Sequence, residues 1–323
     1  MSEPRVMFVI PGAGEGSSMI FARRQAEALR AQGLEVLEFF LRSRTSLVSV
    51  AREMHRFRRE ARGFQPDVVH AHYGTVTAMF AALGAGAIPL VITYRGSDLN
   101  PCPGSPKARR AIAHLLSQLA ALRAARIVCV SRHLRARLWW RRGRATILPS
   151  GVDAAVFAPG ERGAARRRLG WDEGTPAVLF NRGLDPRIKR MDLAAAAIGV
   201  ARRAAPGLHW EVLDGATAPG MVPVLMSAAD CLLVTSDFEG SPTVVQEALA
   251  SNLPIVSVEV GDVAERLEGV RHTCIVARDA ERLGAALAEM VARPRRSDGR
   301  RKLGEFSSAS IAGRLREIYR ELR

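Results

Sequence analysis

The sequence predicts an α/β protein built from two parallel sheets, each covered by helices on both faces. Three observations lead there. Short apolar runs alternate with helix-length segments in both halves of the chain, the pattern of repeated βαβ units. A break rich in Pro, Gly and Arg, from Pro149 to Asp172, separates the two alternations. The length of 323 residues suits about two domains on the usual prior of ~150 residues each.

Taken in order, Arg5 to Pro11 is an apolar strand and Gly12-Ala13-Gly14-Glu15-Gly16 the loop that follows it. Ser18 to Ala31 is a helix, Leu34 to Phe40 the second strand and Leu47 to Arg62 the second helix. Asp67 to Ala71 is a strand, Thr75 to Leu83 a helix, and Ile88 to Tyr94, Arg126 to Ser131 and Thr146 to Leu148 are further strands. The second alternation starts at Ala177 to Phe180 and continues through strands at Leu208 to Leu213, Asp230 to Thr235, Pro254 to Val258 and Thr273 to Val276. A last helix, about Ser308 to Leu322, places Ile311, Leu315, Ile318, Tyr319 and Leu322 on one stripe. The expected boundaries are 1–153 for the first domain, 154–175 for a linker, 176–305 for the second domain and 306–323 for the terminal helix.

Hydrophobic residues make up 48% of the chain, ample for two buried cores. The net charge of +15 is uneven: residues 1–160 carry 23 basic and 10 acidic side chains, residues 161–323 carry 24 and 22. A basic half beside a near-neutral one suggests an anionic partner surface. No nucleic-acid motif accompanies it and aromatics are only 6%, which argues against nucleic acid and for an anionic membrane leaflet or a phosphorylated acceptor. Basic residues beside apolar ones point the same way in two places: the 47–62 helix, with Arg52, Arg56, Arg59 and Arg62 flanking Leu47, Val50, Ala51, Met54 and Phe57, and the six Arg of residues 132–144 around Trp139 and Trp140.

Cys102, Cys129, Cys231 and Cys274 include no Cys-x-x-Cys pair; Cys129 and Cys231 sit in apolar runs and read as buried thiols of a reducing cytosol. The chain enters its first strand almost at once, without a signal peptide. The uncharged run from Val68 to Tyr94 is long enough for a membrane span but contains His70, His72, Gly74, Gly84, Gly86 and Pro89, and it parses as strand, helix, strand. The expectation is a cytoplasmic protein, peripheral on the inner membrane face.

The chemistry concentrates between Ser236 and Val256. A buried strand runs into a turn holding Glu239 and Gly240, and a helix then opens with Ser241 as N-cap and Pro242 in the first helical position. The first-turn amides of such a helix form an anion site. Glu239 lies on the turn and Glu247 one turn up the helix, so phosphate oxygens and sugar hydroxyls can be gripped at one helix end.

The run Glu239-Gly240-Ser241-Pro242, Glu247, Ala248-Leu249-Ala250, Leu253-Pro254-Ile255-Val256-Ser257 and Val260-Gly261-Asp262 resembles the Glu-x7-Glu signature of retaining glycosyltransferases of family 4, which have the GT-B fold. Pro149-Ser150-Gly151-Val152-Asp153 resembles the family's interdomain Pro-Asn-Gly-Val-Asp segment, with Ser for Asn, and Arg126 to Ser131 the strand before it. The resemblance covers nearly the whole chain. It implies two Rossmann-like domains facing across a cleft, an acceptor domain at 1–153 and a nucleotide-sugar donor domain at 176–305, with the terminal helix crossing back onto the first.

It also implies roles for particular residues. Glu239 corresponds to the carboxylate near the transferred sugar and Glu247 to the one that binds the donor ribose, while the amides of Gly240, Ser241, Thr243 and Val244 cradle phosphate and sugar oxygens. Arg182 and Lys189 resemble the family's Arg…Lys pair on the diphosphate, whose leaving group gains charge as the glycosidic bond breaks. Lys189 is one of three lysines against 44 arginines, so an ammonium there reads as a requirement; Arg187 is the alternative cation. Gly14 is the expected glycine-loop contact to donor phosphate. Arg95, in Thr93-Tyr94-Arg95-Gly96-Ser97-Asp98, stands where the family commonly has His and is an acceptor-side candidate with His72. In the mechanism usually assigned to the family the leaving diphosphate takes the acceptor proton, so no side-chain nucleophile is needed. No Asp-x-Asp suggests a metal clamp, and no cofactor is expected beyond the nucleoside-diphosphate-sugar donor. The partners implied are that donor and a glycan or lipid-linked acceptor in polysaccharide or glycoconjugate assembly.

Three rivals bear on the same residues. Gly12-Ala13-Gly14 invites a dinucleotide fingerprint, but Ser17 replaces its third Gly and the second strand ends in Phe39-Phe40 rather than an acid, which weakens an NAD(P)-dependent oxidoreductase. A sugar-nucleotide epimerase shares the fold. A binding protein without catalysis is opposed by the presence of Glu239, Glu247 and Lys189. The stretch from Asp214 to Met226 is short and leaves donor base and sugar open.

Overall fold

The computed structural model describes residues 3–14, 19–43, 46–100, 106–183 and 185–323, and the chain divides into two compact units, Met1–Gly151 with Ser308–Arg323, and Val152–Ser307. Glu15 to Ser18 of the glycine loop, Cys102 and the side chain of Leu47 lie outside the described residues.

The first unit has six parallel strands: β1 (Arg5–Pro11), β2 (Glu35–Leu41), β3 (Val68–His72), β4 (Leu90–Tyr94), β5 (Arg126–Cys129) and β6 (Ala145–Ile147), in the order β2-β1-β3-β4-β5-β6. Their side chains alternate between two apolar layers. Met7 and Val9 pack with Phe39, Phe57 and Phe80 on one face. On the other, Val6, Phe8 and Ile10 pack with Ala22 and Leu29 and with Ile311, Leu315 and Tyr319 of the terminal helix Ser308–Arg320. The Val68–Tyr94 run is β3, the helix Thr75–Gly84 and β4, and no helix among the described residues is long and apolar enough to cross a membrane.

Two features of this unit differ from the sequence expectation. The Leu47–Phe64 helix turns Val50, Met54 and Phe57 onto its own sheet, and Arg56 lies over the Phe39 ring at 3.8 Å, pairing with Glu53 and Glu60. Arg56 is therefore an internal tie, not part of a free basic face. A 17-residue helix, Lys107–Arg123, stands in a region without an assigned element. Because it carries apolar residues on both sides, it lacks the one-sided stripe that marks helices in sequence.

The second unit has five parallel strands, β7 (Ala177–Asn181), β8 (His209–Leu213), β9 (Cys231–Val234), β10 (Ile255–Ser257) and β11 (Thr273–Ile275), in the order β11-β10-β9-β7-β8. Most of the 154–175 stretch, expected as a linker, folds as part of this unit. Glu161 caps a helix, Arg162–Leu169, by accepting from Gly163 and Ala164. From it the fully buried Arg166 donates to Asp230 at 2.8 Å and to the carbonyls of Asp172, Glu173, Thr175 and Ala228. Asp230 in turn accepts from the Ala177 amide that begins β7. The Arg-rich composition that reads as a loop is thus a buried charge-assisted staple.

Candidate functional site

In the second unit the chain adds β8 on one side of β7 and then crosses to place β9 on the other, so the strand order reverses between β7 and β9. In open parallel sheets the crevice beyond the carboxyl ends of strands at such a reversal is where ligands gather. Arg182, Gly183 and Lys189 follow β7 there, and Ser236, Glu239 and Gly240 follow β9.

The two segments are stitched together. Thr235 Oγ1 donates to the carbonyls of Lys189 and Arg190, and the Asp237 amide donates to the Ile188 carbonyl at 2.9 Å. Arg190 and Arg278 both pair with Asp237, at 3.2 and 3.1 Å, and Arg278 also donates to the Thr235 and Ser236 carbonyls. Across this frame Lys189 Nζ reaches Glu239 Oε1 at 2.5 Å, and Ser236 Oγ donates to the same oxygen at 2.8 Å. Both partners are largely enclosed, with 21% and 13% of their side chains exposed. Lys189 passes directly over Gly183, whose φ of +55° and missing side chain leave the path open; a Cβ there would lie 3.1 Å from Lys189 Cε.

Beside Glu239 the helix Thr243–Ala250 begins with Pro242 as N-cap and no side-chain cap. This corrects the expectation by one residue, because the Ser241 hydroxyl is drawn elsewhere. It donates to Asp262 Oδ2 at 2.8 Å and accepts from Gln246 Nε2 at 2.9 Å, while Arg266 donates to the same carboxylate oxygen. The serine's donor is thus spent on a buried carboxylate, a charge-assisted bond, and its oxygen accepts from the Gln246 side chain rather than from a first-turn amide. Among the described residues no side chain caps the first-turn amides of Thr243 and Val244, the arrangement that suits an anion. Gly261 closes this corner: a side chain there would meet Glu239 and the Gly240 carbonyl at 3.0 Å. Burial raises the pKa of Asp262, against the opposing pull of Arg266 and Ser241.

The other named cations are placed differently. Arg182 pairs with Asp214 at the end of β8, at 3.5 Å. Arg187 is mostly exposed and pairs with Asp185, so it is not gathered with Glu239. Glu247 lies one helical turn beyond Thr243 and is half-buried. Ser236, Gly183, Asp237 and Arg278 are additions to the set. Only a positive φ at Gly183 marks any of them, and nothing in sequence links Arg278 to a turn some forty residues earlier.

The first unit has its own cluster at the carboxyl ends of β1, β3 and β4, again beside its point of reversal between β1 and β3. Arg95 donates to Ser150 Oγ at 3.0 Å, to Gln25 Oε1 at 3.3 Å and to His72 Nδ1 at 3.0 Å, and its guanidinium lies 4.1 Å from the Phe21 ring. Desolvation lowers its pKa to about 9. With Nδ1 accepting, His72 carries its proton on Nε2 in the neutral form. His70 joins the Tyr319 hydroxyl at 2.6 Å and Thr93 Oγ1 at 2.7 Å. Burial pushes both histidines well below the ordinary imidazole range. The Asp98 carboxylate accepts from the amides of Gly74, Arg95 and Gly96, which fixes the turn that carries Arg95. At Gly14, φ is +85° and a Cβ would press on the Phe40 ring at 3.0 Å.

Residues 17–156 match the family described as Glycosyltransferase Family 4, and residues 177–293 match the one described as Glycosyl transferases group 1. The chain belongs to the family 4 type of glycosyltransferase. Among relatives of this family 4 chain, the D-inositol 3-phosphate glycosyltransferase of Segniliparus rotundus is 29% identical over 211 residues, 54% of this chain and 46% of that protein. The putative teichuronic acid biosynthesis glycosyltransferase TuaC of Bacillus subtilis is 28% identical over 245 residues, 70% of this chain and 61% of that protein. The chain thus spans about half to three-fifths of these relatives' length. Sucrose-phosphate synthase from Thermosynechococcus elongatus superposes with a TM-score of 0.81 at 18% identity, over 98% of this chain and 99% of that one. HepE of Anabaena, solved with UDP and glucose, gives 0.76 at 15% identity, over 98% and 100%. These likenesses show the GT-B fold, with two Rossmann-like parallel-sheet domains.

Proposed function

We propose that this family 4 chain is a retaining, metal-independent glycosyltransferase that moves a sugar from a nucleoside-diphosphate-sugar to a glycan or lipid-linked acceptor on the cytosolic side of a membrane. The observation that carries the reading is the meeting of Lys189, Glu239 and the uncapped Thr243–Ala250 helix at one strand-end crevice. An ammonium and first-turn amides suit the charge that develops on a departing diphosphate. Glu239 serves the transferred sugar's hydroxyls, Glu247 the donor ribose, and Arg182 the diphosphate. HepE, which shares the fold, was solved with UDP, so a uridine donor is the first to try. Metal independence is supported by the choice of cation: an ammonium reaches the place where a bound metal would otherwise offset phosphate charge.

Calorimetric titration with UDP, GDP and ADP, followed by turnover of the corresponding donor sugars, tests this. One nucleotide is expected to bind, excess chelator to leave turnover unchanged, and Glu247→Ala to weaken donor binding with the thermal melt preserved. Full activity in Glu247→Ala, or a strict metal requirement, overturns the site as drawn.

A further inference from the structure

We propose that the Lys107–Arg123 helix of the first unit is a docking surface for an anionic lipid bilayer, lying in the plane of its interface. Leu115, Leu119 and Leu122 are 43%, 39% and 44% exposed and Ile112 is 59% exposed. At 100° per residue these four fall on one stripe, opposite the buried Ser117, Ala120 and Ala121 and with the buried Gln118 at its edge. Single exposed leucines are ordinary, but a continuous apolar stripe on a helix marks an interaction face.

Two further residues extend it. Trp139, 53% exposed, packs edge-on against His114 of this helix, and its amide donates to Gln118 Oε1, so the indole is held beside the stripe. Leu83, 66% exposed, is the last residue but one of the helix Thr75–Gly84, which packs against Lys107–Arg123 and whose first amide, at Thr75, donates to Ser117 Oγ. An indole at the rim of an apolar patch suits the boundary between headgroups and acyl chains.

Charge decides the occupant. Between Asp98 and Asp153 the chain contains no Asp or Glu and eleven Lys or Arg. Lys107 and Arg109 are exposed at the start of the helix, and Arg132, Arg135, Arg142 and Arg144 are exposed in the segment around Trp139. An anionic leaflet complements an apolar stripe with cationic flanks. A second copy meeting the same patch across a two-fold axis would bring these cations against one another. The helix, at 17 residues, is below the usual spanning length of ~20, so it lies on the bilayer rather than through it. The surface assignment does not depend on which sugar is transferred.

Flotation of the whole protein with phosphatidylcholine vesicles, with and without phosphatidylglycerol, tests it. Capture is expected only with phosphatidylglycerol, weakening as salt is raised. Ile112→Ser/Leu119→Ser should reduce capture by about tenfold or more, as should Lys107→Glu/Arg109→Glu, because one removes apolar burial and the other the charge attraction. Glu239→Gln should float like the wild type, which separates failure of this surface from failure of the transfer site. Absence of wild-type capture, equal capture of the variants, or indifference to phosphatidylglycerol overturns the proposal. So does a wild-type dimer in light scattering that the serine variant dissolves, which would assign the stripe to a second copy.

Discussion

Lys189 reaches Glu239 because Gly183 stands beneath it without a side chain. A β-branched residue at φ +55° costs on the order of 1–3 kcal/mol and would also press on the lysine stem. Gly183→Val should therefore lower kcat/KM in donor turnover, and Lys189→Met should lower it by roughly 10²–10³-fold, the usual loss for one group facing developing charge. Because both changes act on one ammonium, the double variant should be little worse than Lys189→Met alone, a coupling that a double-mutant cycle measures. Additive losses would mean that Gly183 acts elsewhere. The identity of Lys189 and Glu239 was readable in the sequence, since a rare lysine and an acid beside Gly-Ser-Pro both stand out. The Ser241 contact was not, because Asp262 comes into reach only after β10 is laid beside β9.

Elements were legible where burial is simple. β1 was anticipated at both ends, and the terminal helix by its stripe, because each presents a regular apolar pattern to its own layer. The Arg162–Leu169 helix was hidden by its composition. Its decisive side chain, Arg166, is a cation with no exposure, a placement that residue preferences argue against. Its five acceptors come from segments that meet only in the folded unit. Removing one partner of such a pair leaves an uncompensated buried charge and costs about 3–5 kcal/mol. Asp230→Ala should accordingly lower the urea midpoint of the second unit strongly. Arg166→Met should also cost stability, though less, since Asp230 then keeps the Ala177 amide and the half-buried Arg162. A midpoint unchanged in both would show the staple to be idle.

Over the whole molecule, the Tyr319–His70 and His72–Arg95 contacts tie the start of the first unit, its central strands and residues that arrive last in the chain into one buried group. Burial lowers the pKa of both imidazoles, as does Arg95, and His70 lowers that of His72 further. Their folded pKa values lie below the unfolded one, so below about pH 6.5 the unfolded chain binds protons that the folded chain refuses. Stability should fall as pH drops from about 6.5 towards 5, by up to ~1.4 kcal/mol per pH unit for each histidine. Urea titrations at pH 7.5, 6.5 and 5.5 measure the slope, and His70→Gln/His72→Gln should flatten it. Asp98, its carboxyl raised by burial, acts in the opposite sense. The chain leaves the first unit at Gly151 and returns to it only at Ser308. On the ribosome, then, the strands made earliest must wait with one apolar layer lacking its terminal helix while the whole of the second unit is synthesised. The portion born first is the last able to finish folding.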